Sequence, residues 1–146
     1  MKLRINKTGQ MFEGYRLIIG AIMAIMILVI ILGMITYLQN IQMQISQERM
    51  YDGLKAAKKT PDGSVVVREN LIFTDGQSYS QNSFANQINL ASECVTIQSK
   101  DSSAYELLAT GTLNINTYQT TNVYFKCFMG GDCDITCVVS FGKPFE

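Results

Sequence analysis

The chain has 146 residues, which allows one folded domain and one separate hydrophobic element but not two globular domains. It contains no histidine, the side chain most often used as a general base or metal ligand, so its composition disfavours catalysis. The net charge is zero, but the charges are unevenly distributed: residues 1–16 contain four basic residues and one acidic residue, and residues 60–146 contain four basic and nine acidic residues. This distribution is typical of a chain that crosses a membrane rather than one that binds nucleic acid.

An uncharged apolar run of 22 residues extends from Leu17 to Leu38. A helix of about 20 residues crosses the hydrocarbon core of a bilayer, so this run predicts a membrane-spanning helix. The run is longer than the apolar core of an ordinary secretory signal peptide. Lys2, Arg4, Lys7 and Arg16 precede it, and the positive-inside rule therefore places the N-terminus in the cytoplasm and the residues after the run outside.

The helix is predicted to continue beyond the apolar run. Ile41 and Ile45 follow a helical period, which predicts an amphipathic continuation with Met50 and Leu54 on its apolar side. The helix should end at residue 59, because a Pro-Asp-Gly sequence follows at 61–63. A helix over residues 10–59 would be about 75 Å long, which is much more than an anchor needs.

Residues 60–146 predict a small β-rich head domain, so the fold class is α+β. Turn residues separate short β-like segments: Ser64–Arg68, Leu71–Thr74, Leu113–Thr117, Asn122–Met129 and Asp134–Phe141. The Gly130-Gly131 pair predicts a hairpin between the last two, and Asp75-Gly76 predicts a turn. Ser83 is a candidate N-cap for one short helix. We expect four or five antiparallel strands.

The four cysteines all lie in the head domain, at Cys94, Cys127, Cys133 and Cys137. Their spacing matches neither a redox CxxC motif nor a zinc ribbon, so we interpret them as structural disulfides formed in an oxidising compartment. The favoured pairs are Cys127 with Cys133, closing the glycine turn, and Cys94 with Cys137, tying an earlier strand to the last one. The sequence leaves the two other connectivities open.

No other residues form a recognisable reaction centre. The head-domain carboxylates are scattered singly, and the closest two, Asp132 and Asp134, lack the ligand density of a calcium loop. Neither a glycine-rich phosphate loop nor a GxSxG sequence is present. We therefore expect no cofactor, no bound metal, no nucleic-acid partner and no enzymatic activity, although a thiol oxidoreductase is an alternative of a different class.

The first part of the chain resembles a known family. A short basic leader, Gly9-Gln10, Glu13 and an uninterrupted apolar helix are together similar to an archaeal type IV pilin with a class III signal peptide. The resemblance implies a lollipop-shaped pilin architecture with a leader (1–9), a helix (10–59) and an extracellular head (60–146). It also implies cleavage between Gly9 and Gln10 by a membrane prepilin peptidase. The acid is often fifth in the mature family sequence after a serine at the third place, whereas Glu13 is fourth and Phe12 replaces the serine.

The resemblance also implies a function. The chain would be a structural subunit of an extracellular filament, held together as a homopolymer by its N-terminal helices and serving adhesion or surface contact. It would reside in the membrane before assembly and would need an assembly ATPase and a membrane platform protein. Two alternatives stay open: a minor pilin or pseudopilin of a secretion or DNA-uptake machine, and a bitopic membrane-anchored ligand-binding protein.

Four residues of the helix are candidates for assembly. Glu13 would neutralise the new N-terminal amine of a neighbouring subunit, since an unpaired charge inside a filament is costly. Glu13 and Arg16 are also three residues apart, so they could instead form a local pair at the membrane surface. Gly20 and Gly33 offer points where a second helix can approach closely.

Overall fold

The computed structural model describes the backbone of residues 7–145 and the side chains of residues 14–145. It contains a helix of 53 residues, α1 (Lys7–Lys59), which ends just before the Pro-Asp-Gly sequence. The chain divides into two compact units, a helical unit (Met1–Asn40) and a head unit (Ile41–Glu146). The predicted α+β class, a long apolar N-terminal helix followed by a small, mainly antiparallel β region, is confirmed.

Within the described part of the head unit, the end of α1 is followed by seven strands and two short helices. In chain order these are β1 (Asp62–Phe73), β2 (Ser78–Ser80), α2 (Gln81–Ile88), a 3-10 turn (Ser92–Cys94), β3 (Val95–Ser99), β4 (Tyr105–Leu107), β5 (Thr112–Ile115), β6 (Gln119–Met129) and β7 (Ile135–Phe141). One sheet has the order β1-β6-β7-β3 and the other the order β2-β5-β4. Every neighbouring pair is antiparallel except β3 with β7, which is parallel.

The predicted strand count and the all-antiparallel arrangement are wrong. Three strands were not predicted: β2 and β4, which have only three residues each, and β3. In β3, Val95 and Ile97 are buried while Thr96 and Gln98 are exposed, so the alternation was available as a signal. The sequence gives no comparable signal for the parallel pairing of β3 with β7, because the partner strand and its direction depend on a connection of about 35 residues.

The short helix begins earlier than predicted. The N-cap of α2 is Ser80 rather than Ser83, and the Ser80 hydroxyl oxygen accepts a hydrogen bond from the Ser83 backbone N–H at 3.1 Å. Ser83 is therefore inside the first turn, where it is the capped residue instead of the cap. The helix ends at Ile88, and its C-cap Asn89 adopts the left-handed conformation that closes many helices.

The last part of α1 packs against the head sheets. Met50, Leu54 and Ala57 are buried, in agreement with the predicted apolar side of this segment. Ile45 is not on that side, since 49% of its surface is exposed. Gly53 lies so close to the sheet that a Cβ atom there would be 2.7 Å from the Phe125 ring. The helix and the sheet are thus in contact through a position without a side chain.

Polar side chains of α1 also satisfy backbone groups of the head. The buried Ser46 hydroxyl accepts a hydrogen bond from the Ile72 backbone N–H at 3.0 Å, at the outer edge of β1. The Lys58 ammonium donates to the Ile88 carbonyl at the end of α2. Because a buried backbone group without a partner is costly, these bonds fix α1 against β1 and α2.

An aromatic cluster fills the space between the sheets and α2. Phe73 lies edge-on to Phe141 at 5.6 Å between ring centroids, and Tyr79 stacks on Phe84 at 6.0 Å. Burial raises the pKa of Tyr79 to about 12, and the Gln47 side chain offsets a smaller part of this shift. Tyr79 is therefore neutral at physiological pH and acts as a core residue, where each buried aromatic side chain contributes roughly 1.5–3 kcal/mol.

All four cysteines form disulfides, but the favoured pairing is wrong. The bonds join Cys94 to Cys133 and Cys127 to Cys137, with Cα–Cα distances of 5.8 and 4.1 Å. The strand register explains the result, because Cys127 and Cys137 are directly opposite each other in the β6–β7 ladder. Cys133 lies in the turn after Met129, outside the ladder, and reaches the 3-10 turn instead.

Peptide mapping tests this connectivity. Cleavage before aspartate separates all four cysteines, since Asp101, Asp132 and Asp134 divide the sequence between them. Without reduction, we expect the peptide 75–100 to be linked to 132–133, and 101–131 to be linked to 134–146. A reduced sample provides the control, in which all four peptides run separately. A mass for 101–131 joined to 132–133 would restore the original pairing and contradict the β6–β7 register.

Candidate assembly surface

The apolar run of α1 is exposed along its whole length. Between Leu17 and Leu38 the large apolar side chains have exposed fractions from 43% to 75%. The exposure is on all sides of the helix, so no single face is reserved for packing within the chain. This stretch is long and apolar enough to cross a membrane. Such a surface requires lipid or other apolar helices around it.

Polar groups within and beside the run are placed to tolerate an apolar environment. The Thr36 hydroxyl donates to the Leu32 carbonyl at 2.9 Å, one turn back on the same helix, so it needs no outside partner. Tyr15 lies just before the run and Tyr37 lies at its far end, and both are mostly exposed. They are 22 residues apart, or about 33 Å along a helix, close to the thickness of a bilayer core.

These two tyrosines were missed by the sequence analysis, although their spacing was visible. Tyrosine is enriched at both membrane surfaces because its ring is apolar and its hydroxyl is polar. Tyr15 and Tyr37 therefore indicate where the two surfaces of a membrane would meet α1.

Small residues leave open positions on the helical unit. A Cβ atom added at Gly20 or at Gly33 would have nothing within 4 Å. Ala24 forms the floor of a shallow apolar hollow with walls of Ile27, Leu28, Ile31 and Leu32. A side chain of a neighbouring helix can fill such a hollow, and close packing of this kind is what holds helices together where lipid is the alternative.

The predicted processing residues fall on the least described part of the chain. Most of the predicted leader (1–9) lies outside the described residues. The backbone of Gly9, Gln10 and Glu13 belongs to α1, but their side chains are also outside the description. The proposed pairing of Glu13 therefore stays a prediction from sequence. Arg16 is described and its side chain is exposed.

The candidate reactive side chains of the head unit are its cysteines and its closest pair of carboxylates. Its four cysteines are all in disulfides, and Asp132 and Asp134 are exposed in the turn between β6 and β7. Over residues 14–145, Cys, Asp and Glu side chains form no group of three or more that could hold a metal ion. Disulfides of this kind are typical of proteins that fold in an oxidising environment outside the cytoplasm.

Comparison with protein-family models, curated proteins and solved structures finds no match for this chain. Two features of the chain itself bear on its function: an exposed apolar helix of membrane length and a disulfide-bonded head.

Proposed function

We propose that this protein is the subunit of an extracellular filament of the archaeal type IV pilus kind, in which the α1 helices form the core and the head units cover it. The observation that carries the proposal is the exposure, on every side of the helix, of the apolar side chains from Leu17 to Leu38. A tether needs only to cross the membrane once. A helix surrounded by lipid and a helix surrounded by other helices are both apolar on every side, so the exposure supports a filament core together with the length of α1, whose 53 residues are far more than one crossing needs.

The energetics favour permanent burial of this helix once it leaves the membrane. Each large apolar side chain gains roughly 1.5–3 kcal/mol when it is moved from water to an apolar environment. With this contribution repeated along the run, exposure to water would cost tens of kcal/mol per subunit. A bundle of identical helices removes that cost, while the exchange of lipid for helix neighbours is nearly neutral in hydrophobic energy.

The N-terminal residues give the assembly a polarity. Cleavage after Gly9 would create a positive amine on Gln10, at the end of a helix whose dipole is positive there too. In a dry core this amine requires a carboxylate, and Glu13 of a neighbouring subunit can supply it. The resemblance to pilins suggested this pairing, and the dense apolar surroundings give it a physical reason.

Filaments sheared from the surface of the producing cells test the proposal. We expect electron microscopy to show thin filaments, and mass spectrometry of their subunits to identify a chain that begins at Gln10. The abundance of this chain separates a main subunit from a minor pilin, since a minor pilin would be a trace component. Recovery of only intact protein beginning at Met1, confined to membranes, would refute the proposal.

Replacement of Glu13 by alanine distinguishes a filament subunit from a bitopic receptor. We expect the Glu13→Ala protein to enter the membrane normally and to form at most about a tenth of the wild-type filament, because the core amine loses its partner. Glu69→Ala is a matched control, since Glu69 is exposed on β1 and belongs to the head unit. Normal filaments from Glu13→Ala would contradict the assigned role.

A further inference from the structure

Five charged residues of α1 in the head unit are exposed, of which Arg49 donates a hydrogen bond to the Glu69 carbonyl and the other four form two groups. Glu48 and Asp52 come first, and Lys55 and Lys59 follow. All four side chains are exposed, and none forms an ion pair with a residue in the part of the chain that the structure describes. We refer to these four residues as the charge stripe.

The order of charges in the stripe is unfavourable for an isolated helix. Residues three or four positions apart are neighbours on a helix surface, and two of the three such pairs in the stripe, Glu48 with Asp52 and Lys55 with Lys59, have like charges, while only Asp52 with Lys55 has opposite ones. A helix that was only solvated would gain by alternating the signs, as Glu-to-Lys pairs at this spacing do. The segregated charges are therefore better suited to partners on another molecule.

The spacing of the stripe matches that of a helix seam. Its residues follow one another at steps of four, three and four, an average of 3.5 residues, which keeps side chains facing a neighbouring helix. The same steps run backwards in the sequence through Ile45, Ile41 and Leu38. Ile45 is half exposed rather than buried in the head unit, so this side of α1 stays available.

The charges discriminate between two ways of placing a parallel neighbour. In register, Glu48 would face Glu48 and Lys55 would face Lys55, which is repulsive. With a displacement of seven residues, or about 10 Å along the axis, Glu48 and Asp52 of one copy face Lys55 and Lys59 of the next. A displaced contact uses two different surfaces of the same chain, so it can repeat indefinitely and generate a filament instead of a closed dimer.

We infer that the charge stripe is a docking surface for a second copy of this chain and sets the axial displacement between neighbouring subunits at about 10 Å. This inference rests on the proposed filament function and adds the register of the homopolymer to it. The contacts lie outside the apolar core, where salt screens them, so filament formation should weaken as ionic strength rises.

Complementary charge reversals test the inference in the producing cells. One variant carries Glu48→Lys with Asp52→Lys, and the other carries Lys55→Glu with Lys59→Glu. Each alone replaces two attractive contacts by two repulsive ones, so we expect its filament yield to fall about tenfold or more. When both variants are expressed together, opposite charges meet at every contact of an alternating polymer, and the yield should return towards that of the wild type.

Matched controls separate the position of the charges from their number. Asp101→Lys with Glu106→Lys and Lys100→Glu with Lys143→Glu make the same changes in net charge at exposed positions away from α1. We expect both control proteins to form filaments as the wild type does. Disulfide formation and membrane content, measured for every variant, show that the head has folded.

The possible outcomes distinguish a failure of the proposed subunit register from a failure of the proposed filament function. An absence of filaments in wild-type cells would overturn the filament function itself. Wild-type filaments together with normal filaments from both stripe variants would overturn the role of the stripe alone. If both variants fail and their mixture fails too, the stripe does not pair with itself between copies, and the inference is also overturned.

Discussion

Replacing Gly53 by valine is expected to destabilise the head unit strongly. A Cβ atom at this position would be 2.7 Å from Cε2 of Phe125 and 2.9 Å from Cγ of Arg68. Real side chains do not come this close, and Phe125 is fully buried, so its ring has no free space to enter. The γ-methyl groups of valine extend further into the same volume.

The expected loss from Gly53→Val is about 3–5 kcal/mol in the free energy of unfolding. For a domain of this size, that lowers the melting temperature by roughly 12–40 °C. Gly53→Ala should lose less, about 1–3 kcal/mol, since the gain in helix propensity of about 1 kcal/mol opposes the clash. The measurement is thermal unfolding of the full-length protein in detergent, followed by near-ultraviolet circular dichroism of the tyrosines.

Gly33→Val is the matched control. It makes the same substitution in the same helix, but nothing lies within 4 Å of the added Cβ. We expect head unfolding to change by less than about 0.5 kcal/mol. A melting temperature for Gly53→Val equal to that of Gly33→Val would show that α1 does not approach the sheet at this glycine.

Gly53 illustrates what the sequence can and cannot provide. The apolar run and the position where α1 ends follow from local chemistry, because lipid thickness and Pro-Asp-Gly leave little choice. The Asp75-Gly76 turn is equally local, and Gly76 adopts the positive φ that such turns use. Gly53, in contrast, looks like an ordinary weak point in a helix until the position of Phe125 is known.

The predicted disulfide pairing was wrong because it, too, depends on contacts between residues that are distant in the sequence. A short separation favoured Cys127 with Cys133, but a bond forms between residues that the strand register brings together. That register depends on how far the turn after Met129 extends, and a shift of a few residues changes every partner. Pairing of β3 with β7 likewise depends on contacts between distant parts of the chain. The alternation of buried and exposed residues within a strand can be read from the local sequence, whereas the identity of its partner strand cannot.

The candidate site also has one part that can be predicted from the local sequence and one part that cannot. The sequence alone predicted an assembly surface made of the apolar run and the small residues Gly20 and Gly33. It did not identify the charge stripe, because exposure of Glu48 and Asp52 becomes evident only when the buried side of α1 is known. Met50 and Leu54 occupy that buried side, so the stripe is left facing outwards.

A lysine in the middle of the apolar run is expected to abolish the filament while leaving the protein in the membrane. Ile31 is half exposed and forms one wall of the hollow over Ala24. In a bilayer, a central lysine costs about 2.5–3.5 kcal/mol on insertion scales. The remaining apolar residues, each favourable by about 0.3–0.6 kcal/mol, outweigh that cost, so Ile31→Lys should still insert.

In a filament core the same lysine has no water and no partner. The penalty is several kcal/mol for each unpaired ion, and every subunit contributes one, so we expect the filament yield to fall about a hundredfold or more. The measurements are the protein content of the membrane fraction and of sheared filaments, taken from the same cells. A receptor that works as a monomer would show no such separation, since its insertion and its activity would both survive.

Two controls define the result for Ile31→Lys. Ile31→Leu conserves volume and polarity and should leave both fractions unchanged. Gln42→Lys adds the same charge at an exposed position beyond the apolar run, and it should assemble normally. Normal filaments from Ile31→Lys would mean that this part of α1 remains in contact with water after assembly. The helices would then not form the core, because a dry bundle cannot accommodate one unpaired ammonium group per subunit.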